Sequence, residues 1–306
     1  MPKNKPSLTA RKVASDFLFK VEDPEVAPFA PAGSISTTYD LLSAANLLKP
    51  WMVSLIKAPW YQRFGRAIEK PILPGQMLHL VLRKRFFDDE VRAAIAAGVN
   101  QVLVVGAGYD TLCPRLAAEY LEVTFLEVDH PPTHRVKAEA VKATGASRSN
   151  LHLQGVDLAE RSLESVLRES PVWSVDSRSV VVAEGVLMYL AEEDVVAFFS
   201  AVRSSSAVES RVLASYIYDE AMRGKTLGWL GVVLTATLRL FGEPFRWGVD
   251  EDGIEPVVAA RGFRVVGDST RFDLKARYLK PAGKGDWVVA RLERVVAAES
   301  ADFSET

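Results

Sequence analysis

The chain has 306 residues, 48% of them hydrophobic, which is enough to bury a full core as one large domain or as a core with a smaller cap. Its 37 lysine and arginine residues nearly balance its 39 aspartate and glutamate residues, so the overall charge gives no reason to expect nucleic acid or an anionic membrane as a partner. The single cysteine, Cys113, excludes an internal disulfide and a cysteine-ligated metal site, and the four histidines form no HExxH pattern.

Residues 1–95 are predicted to form an N-terminal helical cap. They contain no long β-branched run, and prolines interrupt them repeatedly, which favours short helices over strands. The polar, basic start of the chain is followed by no apolar run of signal-peptide length, so we expect a cytoplasmic protein.

Residues 96–306 are predicted to form an α/β core, because short apolar runs alternate with stretches of helical periodicity. The predicted strands span 101–105, 123–128, 151–154, 180–183 and 211–216, and the predicted helices between them span 112–120, 132–144, 161–169 and 192–204. A helix at 253–260 and strands at 263–267 and 286–291 follow, and a disordered acidic tail is expected from residue 297. This alternation is typical of a doubly wound, mostly parallel, seven-stranded Rossmann-like sheet.

The segment from about 218 to 248 interrupts the alternation and is predicted to be a helical lid insertion. Its apolar stretch, 226–241, contains Arg239 and falls about one turn short of the length that crosses a bilayer, so we do not expect a membrane anchor. Together with residues 39–64, the insertion is expected to cover an apolar acceptor pocket lined by Tyr216, Tyr218 and Trp229. The alternative is that the insertion completes a core or forms a dimer contact.

The first predicted strand leads into the turn Gly106-Ala107-Gly108, where a ligand can approach backbone N–H groups without a Cβ in the way. Three residues after Gly108 stands Thr111 instead of the third glycine of a dinucleotide fingerprint, and Asp110 would place negative charge against a pyrophosphate. A dehydrogenase or epimerase that uses a dinucleotide is therefore disfavoured. The turn by itself also fits a tight loop that binds nothing.

Three acidic residues follow the ends of predicted strands. Asp129 follows the second strand, where a carboxylate can accept hydrogen bonds from both hydroxyls of a ribose. Asp157 follows the third strand, where it can bind an adenine together with a backbone amide. Glu184 leaves the fourth strand after a run of buried valines, and there it must be paired or face a ligand. For Asp129 and Asp157, the alternative is that each caps the helix that follows.

Four segments in this order, GAGYDTLCPRL, FLEVDHPPTHRVK, GVDL and AEGVLMYL, resemble the leucine carboxyl methyltransferase family of class I S-adenosylmethionine-dependent methyltransferases. The resemblance covers roughly residues 75–205 and continues loosely to the end of the chain. It implies a set of contacts with S-adenosylmethionine: Gly106 and Gly108 with the methionyl part, Asp129 with the ribose, Asp157 and Leu158 with the adenine, and Glu184 with the methionine amino or sulfonium region.

The resemblance also implies a cation for the methionine carboxylate. Arg83 is the best match, with Arg85 as the second choice, and no other cation is expected near the glycine turn. The alternative is that Arg83 pairs internally with Asp88 or Asp89.

The activity implied is O-methyl transfer to a carboxyl or hydroxyl oxygen of a small, largely apolar, polyketide-like acceptor; a small molecule is favoured because the insertion is apolar rather than basic. A hydroxyl acceptor needs a general base, and His79, His130, Tyr109 and Tyr189 are the candidates. His79 lies four residues before Arg83, on the same face if this segment is helical. The alternatives are a methyltransferase of protein C-terminal carboxyl groups and a non-catalytic partner protein that binds S-adenosylmethionine. The sequence leaves the oligomeric state open.

Overall fold

The computed structural model describes residues 5–72, 74–219, 244–250 and 253–301. These residues build a seven-stranded sheet flanked by helices. The strands are β1 (Gln101–Val105), β2 (Thr124–Asp129), β3 (Leu151–Gly155), β4 (Ser179–Ala183), β5 (Arg211–Ile217), β6 (Phe263–Ser269) and β7 (Glu293–Ser300).

The described helices fall into two groups. Those before the sheet are α1 (Leu8–Val21), α2 (Ser34–Ala44), α3 (Pro50–Lys57), α4 (Pro59–Ile72) and α5 (Gln76–Ala96). Those between strands are α6 (Leu112–Glu119), α7 (Pro131–Ala143), α8 (Leu163–Glu169), α9 (Glu192–Ser204), α10 (Glu255–Ala259) and α11 (Arg271–Leu274).

The strand order is β3-β2-β1-β4-β5-β7-β6. Strands β1 to β5 pair in parallel, whereas β7 runs antiparallel to both β5 and β6. The predicted doubly wound, mostly parallel sheet is therefore confirmed. The order reverses between β1 and β4, and in sheets of this type the crevice beyond the carboxyl ends of the strands at such a reversal is the ligand site.

Strand β1 shows why the sequence pattern predicted the sheet. Val102 and Val104 pack on the face covered by α1, α2 and α5, while Leu103 and Val105 pack on the face covered by α8 and α9. A strand that is covered on both faces is apolar throughout, and so it forms a continuous run.

The C-terminal end of the sheet differs from the prediction. Residues 286–291 do not form a strand, and β7 instead occupies residues that were expected to belong in part to a disordered tail. Both segments have apolar runs, but only β7 finds neighbours on both sides. Ala298 pairs with Val212 of β5 and Val265 of β6 and is fully buried.

The predicted lid insertion lies mostly outside the described residues, because residues 220–243, which include Trp229, are not among them. Within the described ranges, no helix is both long and apolar enough to cross a membrane. The same ranges contain no group of side chains arranged to hold a metal ion.

The position of β7 can be tested with Ala298→Asp. A carboxylate buried between β5 and β6 without a partner should lower the free energy of unfolding by about 3 kcal/mol or more. Glu299→Gln is the matched control, because Glu299 points outward to Arg211 and Arg264, and it should change stability by less than about 1 kcal/mol. Urea unfolding measures both variants. If neither substitution changed the free energy of unfolding, this segment would belong to a disordered tail and not to the sheet.

Candidate functional site

A cavity of about 200 Å³ opens beyond the carboxyl ends of β1, β2 and β4, at the point where the strand order reverses. Its wall combines residues of the sheet with residues of the N-terminal helices. The sheet side includes Gly106, Ala107, Gly108, Asp129, Glu184, Gly185 and Val186, and the helical side includes Thr9, Ala10, Val13, Phe17, Ser34, Thr38, Arg83 and Lys84. The N-terminal helices therefore help to enclose the site.

The glycine turn brings the backbone close to the cavity. Gly106 and Gly108 both have positive φ angles, 67° and 47°, in the left-handed region that favours glycine. A Cβ atom on Gly106 would lie 2.5 Å from Cγ2 of Val186, so a side chain there would displace another part of the cavity wall. The turn is thus a tight one with no room for a side chain at Gly106, and the approach of a ligand to it stays a prediction.

Asp129 holds the glycine turn from the end of β2. Its two carboxylate oxygens accept hydrogen bonds from the backbone N–H groups of Gly108 and His130, the latter at 2.6 Å. Burial raises the pKa of Asp129, and the hydrogen bond from Gly108 opposes this shift. Asp129 forms no ion pair with any described residue. Because a carboxylate has about four acceptor positions, it can still accept hydrogen bonds from a ligand in the cavity.

Arg83 forms the centre of a buried ion-pair network. Its Nη1 lies 2.6 Å from both carboxylate oxygens of Glu293, and its Nε lies 3.0 Å from Oε1 of Glu184. Burial by itself lowers the pKa of Arg83, but the two carboxylates outweigh this effect and raise it. The alternative pairing of Arg83 with Asp88 or Asp89 is wrong, because Arg83 turns toward the sheet.

Glu184 is therefore paired, as its place after a run of buried valines predicted, and it also faces the cavity. The second choice for the carboxylate contact, Arg85, binds Asp89 with an Nε–Oδ1 distance of 2.8 Å and is not part of the cavity wall. Of the two arginines, only Arg83 reaches the cavity.

Two lysines approach the glycine turn, which corrects the expectation that no other basic residue lies there. Lys84 contacts Asp110, and Nζ of Lys137 lies 3.4 Å from the carbonyl oxygen of Ala107 and 2.7 Å from Oε2 of Glu127. Burial raises the pKa of Asp110, but Lys84, Lys137 and the backbone N–H of Leu112 together outweigh it and hold this pKa below its ordinary value. Sequence reasoning missed both lysines because they stand more than 20 residues from the turn.

At Glu127 the net shift of the pKa is upward, because there the effect of burial prevails. Burial raises the pKa of this carboxyl to about 6, although the charge of Lys137 opposes the shift. Glu127 and Lys137 are almost fully buried beneath the turn, so they form a support for the site and not a part of its wall.

Two buried hydroxyl groups of the cavity wall have no hydrogen-bond partner among the described residues, namely Oγ1 of Thr9 and the phenol oxygen of Tyr109. Burial raises the pKa of Tyr109 to about 12, and the charge of Asp129 adds to the shift. Buried polar groups are normally paired, so these two hydroxyls are where a ligand would supply the missing hydrogen bonds. Thr9 was not singled out from the sequence, because nothing in its neighbourhood signals a site.

The four candidates for a general base are placed differently, and one of them, Tyr109, lies in the cavity wall. His79 is fully buried, with its Nε2 3.2 Å from Oε2 of Glu293, and it does not line the cavity. His130 also lies outside the cavity wall, with its Nε2 3.7 Å from Oδ2 of Asp157. Tyr189 does line the cavity. The expected face of α5 is confirmed, since His79 and Arg83 both contact Glu293.

The two residues implied for adenine lie beyond the cavity as the described residues delimit it. Oδ1 of Asp157 accepts a hydrogen bond from the backbone N–H of Ala159 at 3.0 Å, which is a turn-capping contact. Leu158 is exposed. Their contact with adenine stays a prediction.

Tyr216 and Tyr218 are not part of this cavity wall either. The hydroxyl of Tyr216 donates to Oδ2 of Asp268 at 2.9 Å, and Tyr218 contacts Arg294. Tyr216 belongs to β5, and the side chains of a strand point alternately to the two faces of the sheet. The side chain of Tyr216 packs in the core on the face covered by α9. Their contact with an acceptor stays a prediction.

The lid expected over an acceptor pocket stays a prediction, because most of the insertion lies outside the described residues. None of the residues in 39–64 lines the cavity; the cap residues that do so lie within 7–17 and 31–38, together with Arg83 and Lys84. Tyr39, at the start of the expected segment, donates its hydroxyl to Oε1 of Glu22 at 2.7 Å and thus belongs to the packing of the cap.

The sheet order, the antiparallel β7 and the glycine turn at the reversal point define a class I methyltransferase fold. The structure of a candidate methyltransferase from Thermobifida fusca has the same fold, with a TM-score of 0.56 over 79% of this chain and 89% of that chain at 17% identity. The leucine carboxyl methyltransferase family model matches residues 21–203, which is more than half of the chain. The chain belongs to this family.

Two similar proteins are named as candidate S-adenosyl-L-methionine-dependent methyltransferases. The protein from Saccharopolyspora erythraea is 30% identical over 250 residues, which cover 74% of this chain and 82% of that protein. The protein from Parafrankia is 33% identical over 165 residues, which cover 49% of this chain. The match spans 50% of the length of the Parafrankia protein.

The buried ion pairs of Arg83 predict a pH-dependent loss of stability in Glu293→Gln. Burial raises the pKa of Glu293, but the charge of Arg83 and the contacts with His79 and Ser215 together outweigh this and lower it to about 2, from an ordinary 4.5. A carboxyl with a lowered pKa stabilises the fold above pH 4.5, and this contribution is lost as the pH falls toward 2. Glu293→Gln should therefore lower the free energy of unfolding by about 3 kcal/mol at neutral pH.

The difference between Glu293→Gln and the wild type should narrow as the pH falls from 4.5 toward 2, as measured by urea unfolding at a series of pH values. Glu209→Gln, at an exposed carboxyl near Arg178, should show only a small difference at every pH. A difference for Glu293→Gln that does not change with pH would contradict the assignment.

Proposed function

We propose that the protein transfers a methyl group from S-adenosylmethionine to an oxygen of a small, largely apolar acceptor. The observation that carries the proposal is the cavity where the strand order reverses, because there the glycine turn, Asp129 and Glu184 surround one space. Membership of the leucine carboxyl methyltransferase family supports methyl transfer to oxygen, and the names of the relatives support S-adenosylmethionine as the donor.

The cavity fits the charges of this donor, which carries a carboxylate, an ammonium group and a sulfonium. Arg83 and Lys84 supply positive charge for the carboxylate, and Glu184 supplies negative charge for the cationic groups. Asp129 has acceptor capacity for ribose hydroxyls, which donate hydrogen bonds. The unpaired hydroxyls of Thr9 and Tyr109 would gain partners.

The residues of the chain act mainly by positioning. S-adenosylmethionine supplies an electrophilic methyl group on its sulfonium sulfur, which an acceptor oxygen takes in one in-line displacement. Holding two reactants in line can lower the barrier by about 7 to 11 kcal/mol. Arg83 is suited to orient a ligand because two carboxylates already fix its guanidinium. Val13, Phe17 and Met188 give the wall its apolar character and exclude water.

A carboxylate acceptor suits the described wall better than a hydroxyl acceptor. A hydroxyl must lose its proton, and this needs a base with a pKa near neutrality. No histidine lines the cavity within the described ranges, and its two phenols are those of Tyr109 and Tyr189. A phenol is ordinarily protonated at neutral pH, and burial raises the pKa of Tyr109 further, to about 12. A carboxylate is already ionised at neutral pH and needs no base.

The ribose contact is tested by Asp129→Asn. Losing hydrogen bonds to a charged carboxylate should weaken binding of S-adenosylhomocysteine by about 1.5 to 3 kcal/mol, which corresponds to roughly ten- to hundredfold, as measured by calorimetry. Asp176→Asn is the control, because Asp176 precedes the amino end of β4, opposite the carboxyl ends that face the cavity, and this variant should bind like the wild type. Unchanged affinity in Asp129→Asn would remove this residue from the cofactor site.

The kind of acceptor oxygen is tested with the wild-type protein and S-adenosylmethionine labelled in its methyl group. Apolar carboxylic acids and their matched alcohols serve as acceptors. We expect label in products from the acids, and we expect dilute alkali to release it as methanol, because esters hydrolyse and ethers do not. Label that resists alkali would show a hydroxyl acceptor. Binding of the donor without transfer to either series would favour a non-catalytic protein.

A further inference from the structure

Helix α4 presents an apolar stripe to solvent. Trp60, Phe64, Ile68 and Ile72 follow one another at intervals of four residues, which places them along one side of the helix. All four are exposed, Trp60 by 63% and Phe64 by 58%, and Trp51 of the adjacent helix α3 is 66% exposed. Single exposed apolar residues are ordinary, whereas a continuous set of large ones marks an interaction surface.

The opposite side of α4 fixes this orientation. The side-chain amide of Gln62 is buried and donates to the backbone oxygens of Phe19 and Ile56 at 2.9 and 2.7 Å. A Cβ atom on Gly65 would lie only 2.2 Å from Cζ of Phe19, so the helix packs directly on this ring. Turning the stripe inward would break two buried hydrogen bonds and this contact. The stripe is therefore held outward.

The polar residues beside the stripe are mostly basic. Residues 50–72 contain four basic residues and one acidic residue, a net charge of +3 in a chain whose overall charge is −2; the basic residues are Lys57, Arg63, Arg66 and Lys70. All four are exposed, and one of them, Arg66, pairs with Asp23 at an Nη1–Oδ2 distance of 2.8 Å, which leaves Lys57, Arg63 and Lys70. The acidic one, Glu69, turns inward, where its carboxylate accepts a hydrogen bond from the backbone N–H of Met77 at 2.9 Å. The outward side is thus both apolar and cationic.

We propose that the surface formed by α3 and α4 binds an anionic lipid membrane. An apolar stripe with aromatic residues and a basic flank is the composition of a helix that lies in a membrane interface. Each lysine or arginine near an anionic lipid surface strengthens binding by about fivefold. This inference does not depend on the proposed methyl transfer.

A second copy of the chain is a poorer occupant of this surface. In a two-fold dimer the surface would meet itself, so the apolar stripes could pair only while the basic residues faced one another. Like charges placed opposite each other in an interface oppose association. An anionic lipid surface satisfies the apolar stripe and the basic flank together.

The experiment is co-sedimentation of the full chain with vesicles, using phosphatidylcholine alone and an equal mixture of phosphatidylcholine and phosphatidylserine. The wild type should bind the mixed vesicles, bind phosphatidylcholine vesicles at least about tenfold more weakly, and lose binding as salt is raised. The double variants Trp60→Ser with Phe64→Ser, and Arg63→Glu with Lys70→Glu, should each weaken binding by about tenfold or more.

Two matched controls separate this surface from general effects. Phe272→Ser removes a 64% exposed aromatic residue elsewhere, and Lys142→Glu reverses an exposed charge on α7; both should bind like the wild type. No binding to the mixed vesicles, or equal losses in the controls, would overturn the proposal. The proposal would also be overturned if the wild type did not bind vesicles and instead formed a dimer in sedimentation equilibrium that Trp60→Ser with Phe64→Ser dissociates. The substituted side chains are exposed, so the variants should fold, and circular dichroism checks this.

Discussion

The buried charge of Arg83 is the constraint around which this structure is arranged. A guanidinium with 7% exposure is unfavourable unless its charge is matched, and here Glu184 and Glu293 match it from two different strands. Arg83 belongs to α5, Glu184 follows β4, and Glu293 begins β7, so one side chain joins the N-terminal cap to two parts of the sheet. The same network places a cation and a carboxylate at the wall of the cavity.

The site is accordingly assembled from distant parts of the chain. The sheet contributes the glycine turn and Asp129, α5 contributes Arg83, and α1 and α2 close the space with apolar and hydroxyl side chains. Methyl transfer needs the donor and the acceptor to be aligned and shielded from water, and a wall built by the cap provides this shielding. The N-terminal helices are therefore part of the functional unit and not an accessory to it.

Helix α1 separates the cavity from the exposed surface of α3 and α4. Phe17 lines the cavity, whereas Phe19, two residues later, packs beneath Gly65 of α4. The basic and apolar character of α4 is a local property, because the charges of residues 50–72 are diluted in a chain with nearly equal numbers of acidic and basic residues. Composition alone argued against an anionic membrane as a partner, and the folded surface supplies the reason to propose one.

The sequence by itself determined the order and kind of the core elements, the glycine turn and the acids at the strand ends. These features depend on spacing along the chain; β1 was predicted at 101–105 and is found there. Tertiary structure decided which apolar run became β7, because 286–291 and Glu293–Ser300 are similar locally and only the second finds β5 and β6. It also decided the partners of Arg83, which lie 101 and 210 residues away. Such partners follow from the packing of the whole chain, and no local pattern encodes them.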